Sequence, residues 1–417
     1  GGQPDNMKQF PRSIYAILGV LVLLCAGMVY AWSVMARSIG ASRDWSASQL
    51  SLTFTLVMCF FCLGGMVAGF LAPRFIPKIF LLASAVLFAI GFFVASTAGR
   101  EPGMLYLGFG VLGGLAAGFA YNAIMSTMSK WYPDKQGMIS GVMLMGFGIS
   151  AFVVGKIFAA VTPEDGSDAW QLSFKVMGIV ILIIVAVCGI LCAKPNDSFA
   201  PPAPKKQKAV REPAAETDTL NMIKNVSFWF YFLWAIFISA IGLVLISQAS
   251  GIASEVGTTV SPGTIATVVG LISVLNGVGR VFFGIFFDKK GYRLTMLLVM
   301  IIFAAAIAIL ILALKTASFS LIVTGFVVGG FAYGGVTPTN SAIISDFFGR
   351  KNYPTNFSII NLNLLVASFA STIAGKLYDM YGTFMAPIIM MVILMALSLA
   401  VYFGVRRPKS DYTDNRY

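Results

Sequence analysis

The chain has 417 residues, of which 58% are hydrophobic and only 11% charged, and its mean hydropathy is +0.85. A water-soluble domain carries about a quarter charged residues, so an ordinary soluble fold is excluded. A formal charge of +12 would in a soluble chain point to nucleic acid; here the basic residues stand in short loops between apolar runs, where they act as topology signals and imply no nucleic-acid partner.

In chain order, apolar runs lie near 13–36, 48–72, 79–98, 104–128, 137–161, 170–193, 226–249, 263–287, 292–314, 318–345, 355–378 and 384–405. About 20 apolar residues cross a hydrocarbon core of roughly 30 Å as a helix. The runs are continuous rather than alternating with period two, which argues against a β-barrel. The expected architecture is an all-α membrane protein of twelve transmembrane helices in two pseudo-symmetric six-helix halves, residues 1–193 and 226–405, with a tail at 406–417. Between the halves, 194–225 carries Pro195, Pro201, Pro202, Pro204 and Pro213 with Lys194, Lys205, Lys206, Lys208, Arg211 and Lys224, and reads as a solvated linker. The leading GGQPDN reads as a polar tail, and the first run lacks the small-x-small site of a cleavable signal.

Placing the amino terminus in the cytoplasm puts 21 of the 29 Lys and Arg in inner loops and tails, 7 in or beside outer loops, and one, Arg280, inside a span. Both termini are therefore expected on the cytoplasmic face of a cell inner (plasma) membrane. The halves also repeat one another. GGLAAG (113–118) matches GGFAYG (329–334) at an offset of 216, and GFLAPRFIPK (69–78) matches GIFFDKKGYR (284–293) at 215, as expected of a duplicated transporter fold.

The absence of His excludes an imidazole relay or His-based metal site, and Cys25, Cys59, Cys62, Cys188 and Cys192 all fall inside apolar runs, where they read as small packing residues. With no interior His, paired acids or nucleophile–base set, an enzyme is not expected, and no cofactor or metal is implied.

Arg280 lies about 17 residues into the eighth run, leaving about seven, or roughly 10 Å, to the inner surface. A charge at that depth costs about 2.5 kcal/mol or more, so it is paired, faces water, or snorkels inward to the interface. All 17 Asp and Glu lie in tails, loops or helix ends, so no interior acid is available to it. A bound carboxylate, which a guanidinium grips bidentately, would supply the missing charge. Asn276 is one turn away on the same face and suits a substrate hydroxyl or keto oxygen. Tyr121, Asn122 and Tyr333 lie at comparable depth, as do Met143, Met145, Asn361 and Asn363; for the first three, packing against a neighbouring helix is an equal alternative to ligand contact. Met28, Tyr30 and Met145 form either an apolar wall limiting the cavity to a short side chain or ordinary core. Lys376 and Asp379 are either an interfacial ion pair or an outer gate, and Lys156 reads as snorkelling.

The segment GIFFDKKGYR (284–293) resembles the acidic–basic loop of the major facilitator superfamily, in which Asp288 would be a gating residue and Gly291 a tight turn. The first-half copy has Pro73 and Ile76 in place of the acidic residue and the glycine. Within that superfamily, WYPDKQGMISGVMLMG (131–146), DFFGRKNYPTNFSI (346–359) and the Asn276–Arg280 pair resemble the monocarboxylate transporter family and its bacterial relatives, including oxalate–formate exchangers. The resemblance implies a carrier of short monocarboxylate anions such as lactate or pyruvate, with a proton as coupling ion; it is expected to be a monomer, with a carboxylate exchanger of the oxalate–formate type as the alternative and a membrane sensor or channel as the reading from a different class. Animal members place an Asp where Asn276 stands, and the acidic-Gly motif and lysine of their first span are missing, so the resemblance supplies no proton site.

Overall fold

In a computed structural model, residues 8–132, 136–202, 214–349 and 351–409 are described. The GGQPDN tail, residues 133–135 of the 131–146 motif, Pro204, Pro213, Lys205, Lys206, Lys208 and Arg211 of the linker, residue 350 and the tail from 410 lie outside them. The described residues form twelve helices long and apolar enough to span a membrane. In the first half these are α1 (Arg12–Ser42), α2 (Ala47–Leu71), α3 (Pro77–Ser96), α4 (Gly103–Trp131), α5 (Met138–Val161) and α6 (Ala169–Leu191). The second half contains α7 (Val226–Val256), α8 (Pro262–Lys290), α9 (Tyr292–Thr316), α10 (Phe319–Phe348), α11 (Thr355–Tyr381) and α12 (Met385–Tyr402). The protein is a multi-pass membrane protein.

Local chemistry sets where the helices start and stop. Ser46 and Gln49 form a capping box at the head of α2, and Ser261 caps α8 with Pro262 as its first residue. Gly291, at φ +84°, ends α8 and turns directly into α9, a conformation open to glycine at little cost. Because α8 runs on to Lys290, Arg280 stands ten residues, about 15 Å, from its end, deeper than the apolar run alone indicates. The terminal Lys289 and Lys290 extend the helix beyond the hydrophobic stretch, favoured at a helix C-terminus.

The repeat carries the packing. In the first half a Cβ on Gly114 would lie 2.7 Å from the Val57 carbonyl, one on Gly64 2.7 Å from that of Leu115, and one on Gly118 would strike that of Phe61, so α2 and α4 touch backbone to backbone. In the second half Gly330 meets the Ile272 carbonyl at 2.5 Å, Gly334 that of Asn276 at 2.5 Å, and Gly279 that of Phe331. Each of these contacts maps onto its counterpart at an offset of 215 or 216. The two halves are thus built on one plan of close small-residue crossings.

Four spans depart from regular α-helix. α1 tightens into a 3₁₀ turn at Gly27–Ala31 and α10 breaks at Gly334 and Gly335, both near mid-depth, while α11 breaks near its start at Asn361 and α4 carries a π-helical stretch at Tyr106–Gly113. On the side away from the linker, the halves are stitched by polar bonds. Arg37 of α1 pairs with Glu164 at 3.2 Å and also donates to the Ser250 carbonyl at 3.4 Å and to Ser254 of α7. Gln248 donates to Ser51 at 3.1 Å, and Thr55 to the Ser368 carbonyl at 2.8 Å.

The linker is not solvated throughout. Asp218 caps a short helix, Thr219–Lys224, whose Met222 is buried, and Thr219 donates to Asn356 at 2.7 Å while the Thr217 carbonyl accepts from the same asparagine. Its last part is docked on the second half because Met222 and the caps provide it with apolar and polar partners.

Candidate functional site

Arg280 is 1% exposed, and its guanidinium stands where the two halves meet. Nε donates to Asn276 Oδ1 at 3.2 Å within α8, Nη1 to the Leu144 carbonyl of α5 at 3.2 Å, and Nη2 to the Tyr30 hydroxyl of α1 at 3.4 Å. The Tyr30 hydroxyl in turn shares a 3.3 Å bond with that of Tyr333. The Arg280 Cζ lies 5.9 Å from the centroid of Tyr30 and 5.7 Å from that of Phe147, within cation–π range.

All the partners are neutral. Among the described residues no carboxylate lies within 4.0 Å of Arg280. Three of its five N–H donors are used, and the Nδ2 of Asn276 beside it is buried with no partner. A neighbouring cavity of about 10 Å³, the scale of one water, is lined by Tyr30, Gly148, Ser273 and Asn276 among others. The cluster is therefore closed around a cation with donors to spare.

Local structure positions each member. The 3₁₀ turn brings Tyr30 inward, and the break after Tyr333 directs that ring to the same point. Gly27 lets α1 rest on α5, since a Cβ there would strike the Phe147 carbonyl. Tyr121 joins through rings, 5.2 Å from Phe61 and 5.3 Å from Phe147.

Other candidates lie elsewhere. Asn122 lines a separate cavity of about 130 Å³ with Arg74, Lys130 and Lys194. Its neighbour Tyr121 faces inward, and adjacent helical positions do not share a face. Met28 is fully buried against α4 at Gly113, and Met145 packs on Gly277 of α8; neither lines the small cavity beside Asn276, which Tyr30 does. Asn363 accepts from Ser239 at 2.7 Å, and Asn361 accepts from Cys62 Sγ at 3.3 Å through its carbonyl.

Lys376 and Asp379 form no ion pair; Asp379 instead accepts from the Ser48 backbone N–H at 3.2 Å, at the head of α2 in the other half. An exposed helix start is the better partner for that carboxylate, while Lys376 is exposed. Lys156 does more than snorkel, because it donates to Thr267 of α8. Asp288 is exposed in the last turn of α8. The Leu144 carbonyl leaves no trace in residue type, and Phe147 shows in the sequence only as an aromatic one turn from Met143, so neither was legible there as a partner of Arg280.

The Major Facilitator Superfamily model matches residues 14–259 and 231–416. The chain belongs to this superfamily. It is a transporter and not an enzyme. It is 25% identical over 348 residues to the oxalate:formate antiporter of Oxalobacter formigenes, covering 82% of this chain and 80% of that one. It is 22% identical over 364 residues to monocarboxylate transporter 13 of Rattus norvegicus, covering 87% and 81%. The fold is that of a bacterial homologue of the human lysosomal transporter Spinster, with a TM-score of 0.71 at 16% identity over 97% of each chain.

Proposed function

We propose that this superfamily transporter carries short monocarboxylate anions such as lactate or pyruvate, bound by Arg280. The single observation carrying this reading is a fully buried guanidinium whose partners are all neutral and whose remaining donors sit beside the unpartnered Asn276 amide. Leaving a buried charge uncompensated is costly, and a carboxylate fits the free donors in geometry and sign. Tyr30 and Tyr333 would orient its 2-oxygen. The likeness to named carboxylate carriers supports the same class.

In this reading the protein is a monomer in a plasma membrane, with both termini cytoplasmic and the two halves rocking about the site. A proton is the coupling ion expected from the family resemblance, although no described interior acid is placed to hold it. One observation favours exchange as a second reading: an empty carrier must reorient with Arg280 uncompensated, whereas a loaded one does not.

The test is uptake of labelled lactate by proteoliposomes. Arg280→Gln should abolish saturable uptake while the purified protein stays monodisperse, and unchanged uptake would remove Arg280 from the site. Counterflow much faster than net uptake would select exchange.

A further inference from the structure

We infer that Gly65 is the selectivity position that restricts the carrier to singly charged anions, because it is the first-half counterpart of Arg280. This inference rests on the reading of Arg280 as the anion site. The glycine contacts fix the correspondence between the halves: Gly64 pairs with Gly279, the Val57 carbonyl with that of Ile272 and the Phe61 carbonyl with that of Asn276, each at an offset of 215. Carried one residue past Gly279, the same offset sets Gly65 opposite Arg280. Two positions related by the pseudo-twofold thus differ as much as two residues can: one bears a cation and the other no side chain.

Gly65 lies on the interior face of α2. One turn before it, Phe61 packs against Tyr121 and Phe147, the ring that lies over Arg280. Three residues before it, Cys62 bonds to the Asn361 carbonyl across the halves, and one turn after it a Cβ on Gly69 would lie 3.8 Å from Ser358 of the second half. Unlike its neighbours Gly64, Gly114 and Gly118, it is not a packing glycine. A Cβ there would meet only the Gly118 carbonyl, at an ordinary 3.9 Å, so a side chain has room.

The consequence is one of charge. Arg280 alone compensates one negative charge, and a dicarboxylate would bring its second charge into the interior without a partner. A cation at Gly65 would supply that partner from the opposite half.

The experiment uses the full-length protein in proteoliposomes, with labelled lactate and oxalate, and compares Gly65→Lys with the neutral Gly65→Gln. Gly65→Lys should raise the oxalate-to-lactate uptake ratio by about tenfold or more, and Gly65→Gln should leave it within about twofold, since only the first offsets a second buried charge. An unchanged ratio in a folded Gly65→Lys protein, or an equal rise in Gly65→Gln, overturns the inference. Should Gly65→Lys fail to fold, the wild type decides: malonate should inhibit lactate uptake increasingly as pH falls and its monoanion replaces the dianion, and equal inhibition by the dianion overturns the inference. Wild type that takes up lactate with no gain in Gly65→Lys removes this inference alone, whereas wild type that takes up no monocarboxylate removes the anion-site reading with it.

Discussion

Asn276→Asp gives the sharpest test of how Arg280 is held. The wild-type amide oxygen accepts from Nε at 3.2 Å, so the substitution places a carboxylate against the guanidinium with almost no change of shape. At a charge separation of about 4 Å and an effective dielectric constant near 20, the pair attracts by about 4 kcal/mol. That figure is a ceiling on what a substrate carboxylate must displace, because part of it is offset by desolvating the new acid. An increase of about a hundredfold in the concentration needed for half-maximal lactate uptake is the expected order, each tenfold corresponding to about 1.4 kcal/mol. The uncharged Asn276→Gln, which offers Arg280 no negative charge, should lose far less. The assay is lactate counterflow at neutral pH, with pH equal on both faces so that no gradient contributes. Affinity unaltered in Asn276→Asp, or an equal loss in Asn276→Gln, would refute the picture of a guanidinium waiting for an external anion.

Two further outcomes follow from the packing and the seam. Gly330→Ala drives a Cβ to within 2.5 Å of the Ile272 carbonyl and should destabilise the detergent-solubilised protein by about 1–3 kcal/mol, read as a lower Tm, while Gly65→Ala should leave it unmoved. Arg37→Ala removes the bonds joining α1 to Ser250 and Ser254, and the amides at the end of α7 near Ser254 should exchange hydrogen faster, with those of α9 unchanged.

What the sequence disclosed follows from which forces are local. Twelve spans were legible because a membrane demands long apolar helices and tolerates little else. Arg280 and Asn276 were legible as a pair because i and i+4 share a helix face whatever surrounds them. The end of α8 was not, since Lys289 and Lys290 are polar yet helical, and hydropathy stops before they do. Partners set by tertiary approach were also hidden. Asp379 bonds to the Ser48 N–H, 331 positions away in the chain, rather than to nearby Lys376, and the Leu144 carbonyl would serve Arg280 with almost any side chain at 144. Asn122 illustrates the limit of counting depth: it sits beside Tyr121 in sequence, yet the helix turns it toward Arg74 and Lys130.

Arg280 belongs to the second half, yet two of its three bonds reach the first, at Leu144 and Tyr30. The guanidinium is therefore a clasp between the halves as well as an anion receptor. A carboxylate taking the free N–H of Nη1 and of Nη2 would bind the same two nitrogens that make those bonds, so binding and the strength of the clasp are coupled through them. The Nε bond to Asn276 stays within α8 and can keep the side chain extended throughout. A ligand shifts a conformational equilibrium only through contacts that differ between the states. Nitrogens shared between a cross-half bond and the cargo make such contacts. On the side away from the linker, the bonds from Arg37 and Gln248 do not involve these donors, so that seam can stay shut while the clasp near Arg280 gives way.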